Sequence, residues 1–196
     1  MESIREKTGE SGFALMEAVV VLALLGILAA FAGLSMAWFQ GAQQKERARQ
    51  AAYFLFAALE EARKLERFYG RDVFLSWETG GSGAIVKVTL FRDDDLGGSL
   101  DKKKDAPIDS WDLLRMFKDA RVVANMGVTT QTYISLQAGP RPTFASGAGT
   151  FWVFTERDFG RGGSRANPGQ VASYGVVVNN ASSMGARICQ PGLDCP

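Results

Sequence analysis

Two hydrophobic rhythms follow one another along the N-terminal part of the chain. Residues 18–39 hold 22 positions without a charge, from Ala18 through Leu22, Gly26 and Phe31 to Trp38 and Phe39. At about 1.5 Å per residue this is roughly 33 Å of helix, enough to cross the hydrocarbon core of a bilayer. The run is apolar on every face, which suits lipid better than the interior of a soluble protein. It is longer than the roughly 7–15-residue core of a secretory signal, and no Ala-x-Ala cleavage site follows it. From Lys45 the rhythm changes. Ala48, Ala51, Ala52, Leu55, Ala58, Leu59, Ala62, Leu65 and Tyr69 recur at three- and four-residue spacing, with Lys45, Arg47, Arg49, Glu60, Glu61, Lys64 and Arg67 on the other face. No proline interrupts either stretch, so one helix is predicted from about Phe13 to Tyr69, stopped by Gly70. Residues 1–12 are polar, without an apolar face, and predict little structure.

Beyond Gly70 the period shortens towards two. Residues 72–77 and 84–91 read as strands joined by the Gly-rich turn 78–83, with Val86, Val88 and Leu90 facing one way and Lys87 and Thr89 the other. Residues 92–105 form a polar loop. Asp109 or Ser110 is placed to cap a short helix over 111–117. Further strands are expected at 128–136, 150–155, 170–178 and 186–189, separated by turns such as Ala138-Gly-Pro-Arg-Pro142. The expected architecture is α+β: a long helix, half membrane-type (13–39) and half amphipathic (40–70), on an antiparallel sheet of about five to seven strands (71–196). Trp38 reads as an interface anchor, and Trp77, Trp111 and Trp152 as core.

Composition narrows the chemistry. Net charge is +1, which gives no bulk preference for nucleic acid or an acidic ligand. There is no histidine, so the commonest catalytic base and metal ligand are absent. No enzyme activity, cofactor or metal site is expected. Gly160-x-Gly162-Gly163 lacks the Lys-Ser/Thr and the strand-to-helix setting of a phosphate loop. Asp93, Asp94, Asp95, Asp101 and Asp105 offer the oxygen ligands calcium takes, but not in EF-hand order, and Lys102, Lys103 and Lys104 intervene. The reading is a solvated loop suited to ion pairs between subunits. The two cysteines, Cys189 and Cys195, would close a small loop. In an exported domain that predicts a disulfide; in a cytosolic one, two free thiols.

Glu17 is the position a plain anchor does not explain. A charge within a bilayer costs about 2.5–3.5 kcal/mol at the centre and less near the edge. Either Glu17 marks the interface or it has a partner. Gly12-Phe13-Ala14-Leu15-Met16-Glu17, ahead of an apolar helix containing Gly26-Ile27-Leu28-Ala29-Ala30, resembles the class III signal of type IV prepilins and pseudopilins. The resemblance implies that residues 1–12 are a leader cut after Gly12 by a prepilin peptidase. It also implies that Phe13 becomes an N-methylated terminus and that Glu17 serves assembly. The spacing suits that chemistry. Glu17 lies four residues after the new amine, on the same helix face, where it can pair with the amine of a neighbouring subunit. No proline lies between Phe13 and Phe39, a departure from many major pilins that leans towards a minor pilin or pseudopilin.

The same resemblance implies a pilin fold and a homo- or hetero-polymer with other pilin subunits. It implies a single pass through the bacterial inner membrane, a periplasmic C-terminal domain, and later a place in a pilus or pseudopilus. Charge does not set that orientation: Lys45, Arg47 and Arg49 outnumber Arg5 and Lys7 across the span, so a simple positive-inside count would favour the opposite one. Phe151-Trp-Val-Phe-Thr-Glu-Arg-Asp-Phe-Gly160 and Ala181-Ser-Ser-Met-Gly-Ala-Arg-Ile-Cys189 are similar to the pseudopilin H and FimT-like minor pilin group. Some of that group bind DNA through a Gly-Arg-x-Arg stretch, of which Gly185-Ala186-Arg187-Ile188 keeps one arginine. With Arg161 and Arg165 of the basic loop Gly160-Arg-Gly-Gly-Ser-Arg165, Arg187 makes up the candidate DNA contacts, beside the alternative of an ordinary solvated loop. Three roles follow: a structural fibre subunit, a DNA-binding tip subunit for uptake, or a type II secretion pseudopilus subunit.

Overall fold

The structure, a computed structural model, describes residues 7–126, 132–137, 143–144, 149–160, 172–178, 186–191 and 195. The chain divides into two compact units, Met1–Gln43 and Gln44–Pro196. One helix, α1 (Lys7–Tyr69), supplies residues to both. It begins earlier than the sequence predicts, because residues 7–12, read as an unstructured head, are helical. No proline precedes the apolar run, and once a helix is nucleated each added residue contributes a further bond.

In the first unit every described side chain from Leu15 to Gln40 is exposed, Leu22 and Phe31 at 67% and Trp38 at 78%. The helix is long and apolar enough to cross a membrane. In the second unit α1 buries one stripe, Ala48, Ala51, Ala52, Leu55, Ala58, Leu59 and Ala62. This is the predicted face, extended one step by the buried Glu66. Gly70 ends the helix as expected. Its φ of 62° lets its N–H donate to the Glu66 carbonyl at 2.9 Å, a left-handed turn that a side chain would disfavour.

The remaining elements are β1 (Val73–Thr79), β2 (Ile85–Arg92), β3 (Ala106–Asp112), α2 (Leu113–Met116), β4 (Ala120–Met126), β5 (Tyr133–Gln137), β6 (Thr143–Phe144), β7 (Gly149–Thr155), α3 (Glu156–Gly160), β8 (Tyr174–Val178) and β9 (Ala186–Cys189). The architecture is α+β. Instead of one sheet there are two, both antiparallel: a first sheet in the order β3-β2-β1-β5-β6 and a second in the order β4-β7-β8-β9. The stripe of α1 shares one core with Val73, Leu75, Trp77, Ile85, Val88 and Leu90 of the first sheet and Val122, Phe151, Val153, Val176 and Val178 of the second.

Three local readings are corrected. In the β1–β2 hairpin the pairing steps from Glu78–Lys87 to Thr79–Ile85, leaving Val86 as an extra residue. This bulge turns Ile85, rather than Val86, onto the face of Val88 and Leu90. Residues 109–112, read as the cap and start of a helix over 111–117, belong with 106–108 to β3, an edge strand carrying Pro107, Asp109 and Asp112. The helix after it is a single turn, capped by Asp112, whose Oδ1 accepts from the Arg115 N–H at 2.9 Å. Strand β4 stands where no strand is expected, ahead of the one read at 128–136, which begins at Tyr133 among the described residues.

Candidate functional site

The first candidate site is the N-terminal turn group of α1. Gly12 and Phe13 lie within the helix, and the Phe13 side chain falls outside what the structure describes. Glu17 is exposed on α1, at the head of the uncharged run. Val20, Val21 and Leu24, at three, four and seven residues beyond it, are exposed as well. An anionic acceptor is thus set on an apolar helix surface, ahead of 22 residues with no countercharge.

The second is the outer face of the second sheet. Its register places Val123, Trp152, Gly175 and Cys189 in one row across β4, β7, β8 and β9. Opposed residues in antiparallel strands share a face. Cys189 and Cys195 are joined in a disulfide, as the sequence suggests for an exported domain. Gly175 makes room for it. A Cβ there would lie 2.8 Å from Cys189 Sγ, 3.1 Å from Cys195 Sγ and 3.0 Å from the Trp152 ring. The neighbouring row runs Asn125, Thr150, Val177 and Arg187, so Arg187 stands on this outer face, exposed. Arg161 and Arg165 lie outside the described residues.

The third is the loop between β2 and β3, which is largely exposed, as predicted, at 95–99 and 102–104 but is anchored at both ends. Asp93 and Asp105 are buried. Asp93 accepts from the Gly97 and Gly98 N–H groups at 3.3 and 3.0 Å. Asp105 accepts from the Asp94 and Asp101 N–H groups at 3.2 and 2.6 Å. Carboxylate oxygens of Asp93, Asp95 and Asp105 lie within 4.8 Å of one another. Lys104 supplies positive charge, 3.4 Å from Asp95 and 3.6 Å from Asp101. Arg92 grips Asp94 through Nε at 2.7 Å and Nη2 at 3.2 Å, and stacks over Tyr69 near the end of α1. The Arg92 hydrogen bond holds the Asp94 carboxyl below its ordinary range, and the Gly97 N–H does the same for Asp95. The bond to Asp95 raises Lys104. These backbone bonds and cations satisfy the loop from within.

No protein family, characterised protein or solved structure matches this chain.

The structure brings together the two cysteines, and it places the Gly12–Glu17 group on one helix. Of the three candidate arginines only Arg187 lies among the described residues. Sequence reasoning missed Gly175, the buried Asp93 and Asp105, and the Arg47–Asp119 ion pair joining α1 to the turn before β4. Gly175 has no local signal, since its role comes from cross-strand neighbours at 152 and 189. For Asp93 a hint existed, since it is followed by Gly97 and Gly98, whose N–H groups a carboxylate can cap in a tight turn; the donors to Asp105, Asp94 and Asp101, lie upstream of it.

Proposed function

We propose that the chain is a minor type IV pilin or pseudopilin. In this reading it is a membrane-inserted precursor, cut after Gly12 by a prepilin peptidase, N-methylated at Phe13, and packed through α1 into a homo- or hetero-polymer with other pilin subunits. It is a structural subunit and the substrate of an enzyme, not an enzyme. Before assembly it resides in the bacterial inner membrane with residues 71–196 in the periplasm.

The observation that carries this reading is Glu17 on the exposed apolar surface of α1, five residues after Gly12. A carboxylate there is unfavourable in lipid but matched by the α-amine that cleavage would create at Phe13 of an adjacent subunit. The unbroken helix supports the reading too. One segment supplies an all-apolar surface for lipid or for neighbouring helices, and a core-facing stripe for its own domain. The disulfide fits an oxidising compartment.

The test is processing and incorporation. Gly12→Val should leave a precursor about 12 residues longer on a gel. Glu17→Ala should be processed normally yet enter sheared filaments poorly, while Glu17→Asp partly restores incorporation. Normal incorporation of Glu17→Ala would remove the assigned role.

A further inference from the structure

We propose that the end of the second unit that carries Gln44 is a docking face for a bilayer of anionic phospholipid, with the segment after β3 as its contact point. The proposal rests on residues 18–39 spanning a membrane, as in the reading above, but not on cleavage or assembly.

The contact point is built by packing against α1. Phe54 meets Trp111 edge-on at 5.4 Å and Phe117 at 5.6 Å, and Arg47 pairs with Asp119. Residues 111–119 therefore lie along α1 from Phe54 back to Arg47, close to the start of the unit at Gln44. Leu113 is buried, whereas Arg115, Met116 and Lys118 are exposed, Met116 at 47%. Two cations thus flank an exposed apolar side chain, on a base of half-buried Trp111 and Phe117. That composition suits a membrane interface, where the apolar group enters the headgroup boundary and the cations meet phosphate.

The neighbouring turn of α1 extends the same chemistry. Lys45, Arg47 and Arg49 are exposed, and Arg49 lies 5.5 Å over the ring of the exposed Tyr53. The acidic groups here are already engaged. Glu46 pairs with Arg49 at 3.8 Å, Asp119 with Arg47, and Asp112 caps α2. Five cations against three carboxylates leave this end with an excess of positive charge.

The length of the chain decides what that charge meets. Five residues separate Phe39 from Lys45. At no more than about 3.5 Å per residue, Lys45 lies within roughly 21 Å of the end of the apolar run in any conformation. The headgroup zone itself reaches roughly 5–7 Å beyond the hydrocarbon. So short a tether holds the cations beside a membrane surface at high effective concentration, where a weak contact is enough. Anionic lipid supplies the countercharge, felt within a Debye length of about 8–10 Å.

The test uses the full chain in lipid nanodiscs, made either of phosphatidylcholine or of phosphatidylcholine mixed with phosphatidylglycerol. Hydroxyl-radical oxidation of Met116 should be several-fold slower in the mixed discs, and high salt should abolish the difference. Phe68, exposed at 80% and about 30 Å further along α1 than Arg47, should oxidise equally in both. Arg115→Gln with Lys118→Gln should lose the protection. Lys102→Gln with Lys103→Gln, which removes the same charge from the β2–β3 loop, should keep it. Equal oxidation of Met116 in the two kinds of disc, with the chain inserted, would overturn this proposal alone. Release of the chain from membranes by alkali would overturn it together with the spanning reading. Protection that persists in phosphatidylcholine or in high salt would overturn the anionic lipid as the occupant. Protection seen only in discs holding two chains would overturn it by making a second copy the cover.

Discussion

The two stretches of α1 are built from similar residues and behave oppositely. Residues 18–39 and residues 48–62 are both rich in Ala and Leu without a proline. In the first, Leu22, Leu25 and Leu28 are all exposed; in the second, Leu55 and Leu59 are fully buried. The difference is the spacing of charge. Without charge, an apolar helix has no preferred face and relies on its surroundings for cover. With charge on one side at a 3.6-residue period, the same helix acquires a stripe that the two sheets bury. The frequent alanines of that stripe leave room for large sheet residues such as Trp77 and Phe151, which meet edge-on at 5.3 Å.

That contrast can be broken by paired substitutions. The largest effect is expected at the stripe. Leu59→Ala should cost about 2–5 kcal/mol of domain stability, from lost burial and the cavity left behind. Leu22→Ala should leave domain unfolding by denaturant unchanged. Equal losses would mean that the first stretch is buried after all. Next is membrane partition. Leu24→Lys should disfavour insertion by about 2.5–3.5 kcal/mol, seen as a shift to the soluble fraction after alkaline extraction. Gln50→Lys, on the exposed side of the second stretch, should produce no shift.

Protonation should also separate the two. Asp94 and Asp95 have lowered folded-state values, so their stabilisation is present above the ordinary carboxylate value of about 3.9 and is lost as pH falls through the lower folded ones. Below about pH 4, hydrogen exchange in residues 93–105 should accelerate while the uncharged run 18–39 does not respond. The smallest effect is expected from Arg47→Ala. It removes a partly exposed ion pair with Asp119 and should cost no more than about 1 kcal/mol, less in high salt, by denaturant titration.

Much of this layout is legible in the sequence, and where it is not the reason is physical. The stripe of α1, its stop at Gly70, the first hairpin and the cysteine pair all come from local signals: periodicity, a glycine, alternation, a short spacing. The bulge at Val86 is not legible, because an extra residue leaves alternation on either side intact and only changes its phase. Strand β3 is disguised by Pro107, Asp109 and Asp112, which are poor strand formers tolerated at an edge. Strand β4 has weak alternation, since Arg121 and Asn125 on its outer side are interrupted by Val123. At the candidate sites the Gly12–Glu17 spacing could be read directly. The slot at Gly175 could not, because it exists only once three strands are in register.

The edge strand β3 has one more consequence. An open sheet edge is a template on which a second chain can add its own strand. Pro107 withholds an N–H from that edge, and Asp109 and Asp112 set negative charge along it, so two such edges repel when they meet. The first sheet is thereby protected on this side against stacking edge to edge at high local concentration. Crowded copies of the domain stay separate here without spending any of the apolar surface that holds each one together.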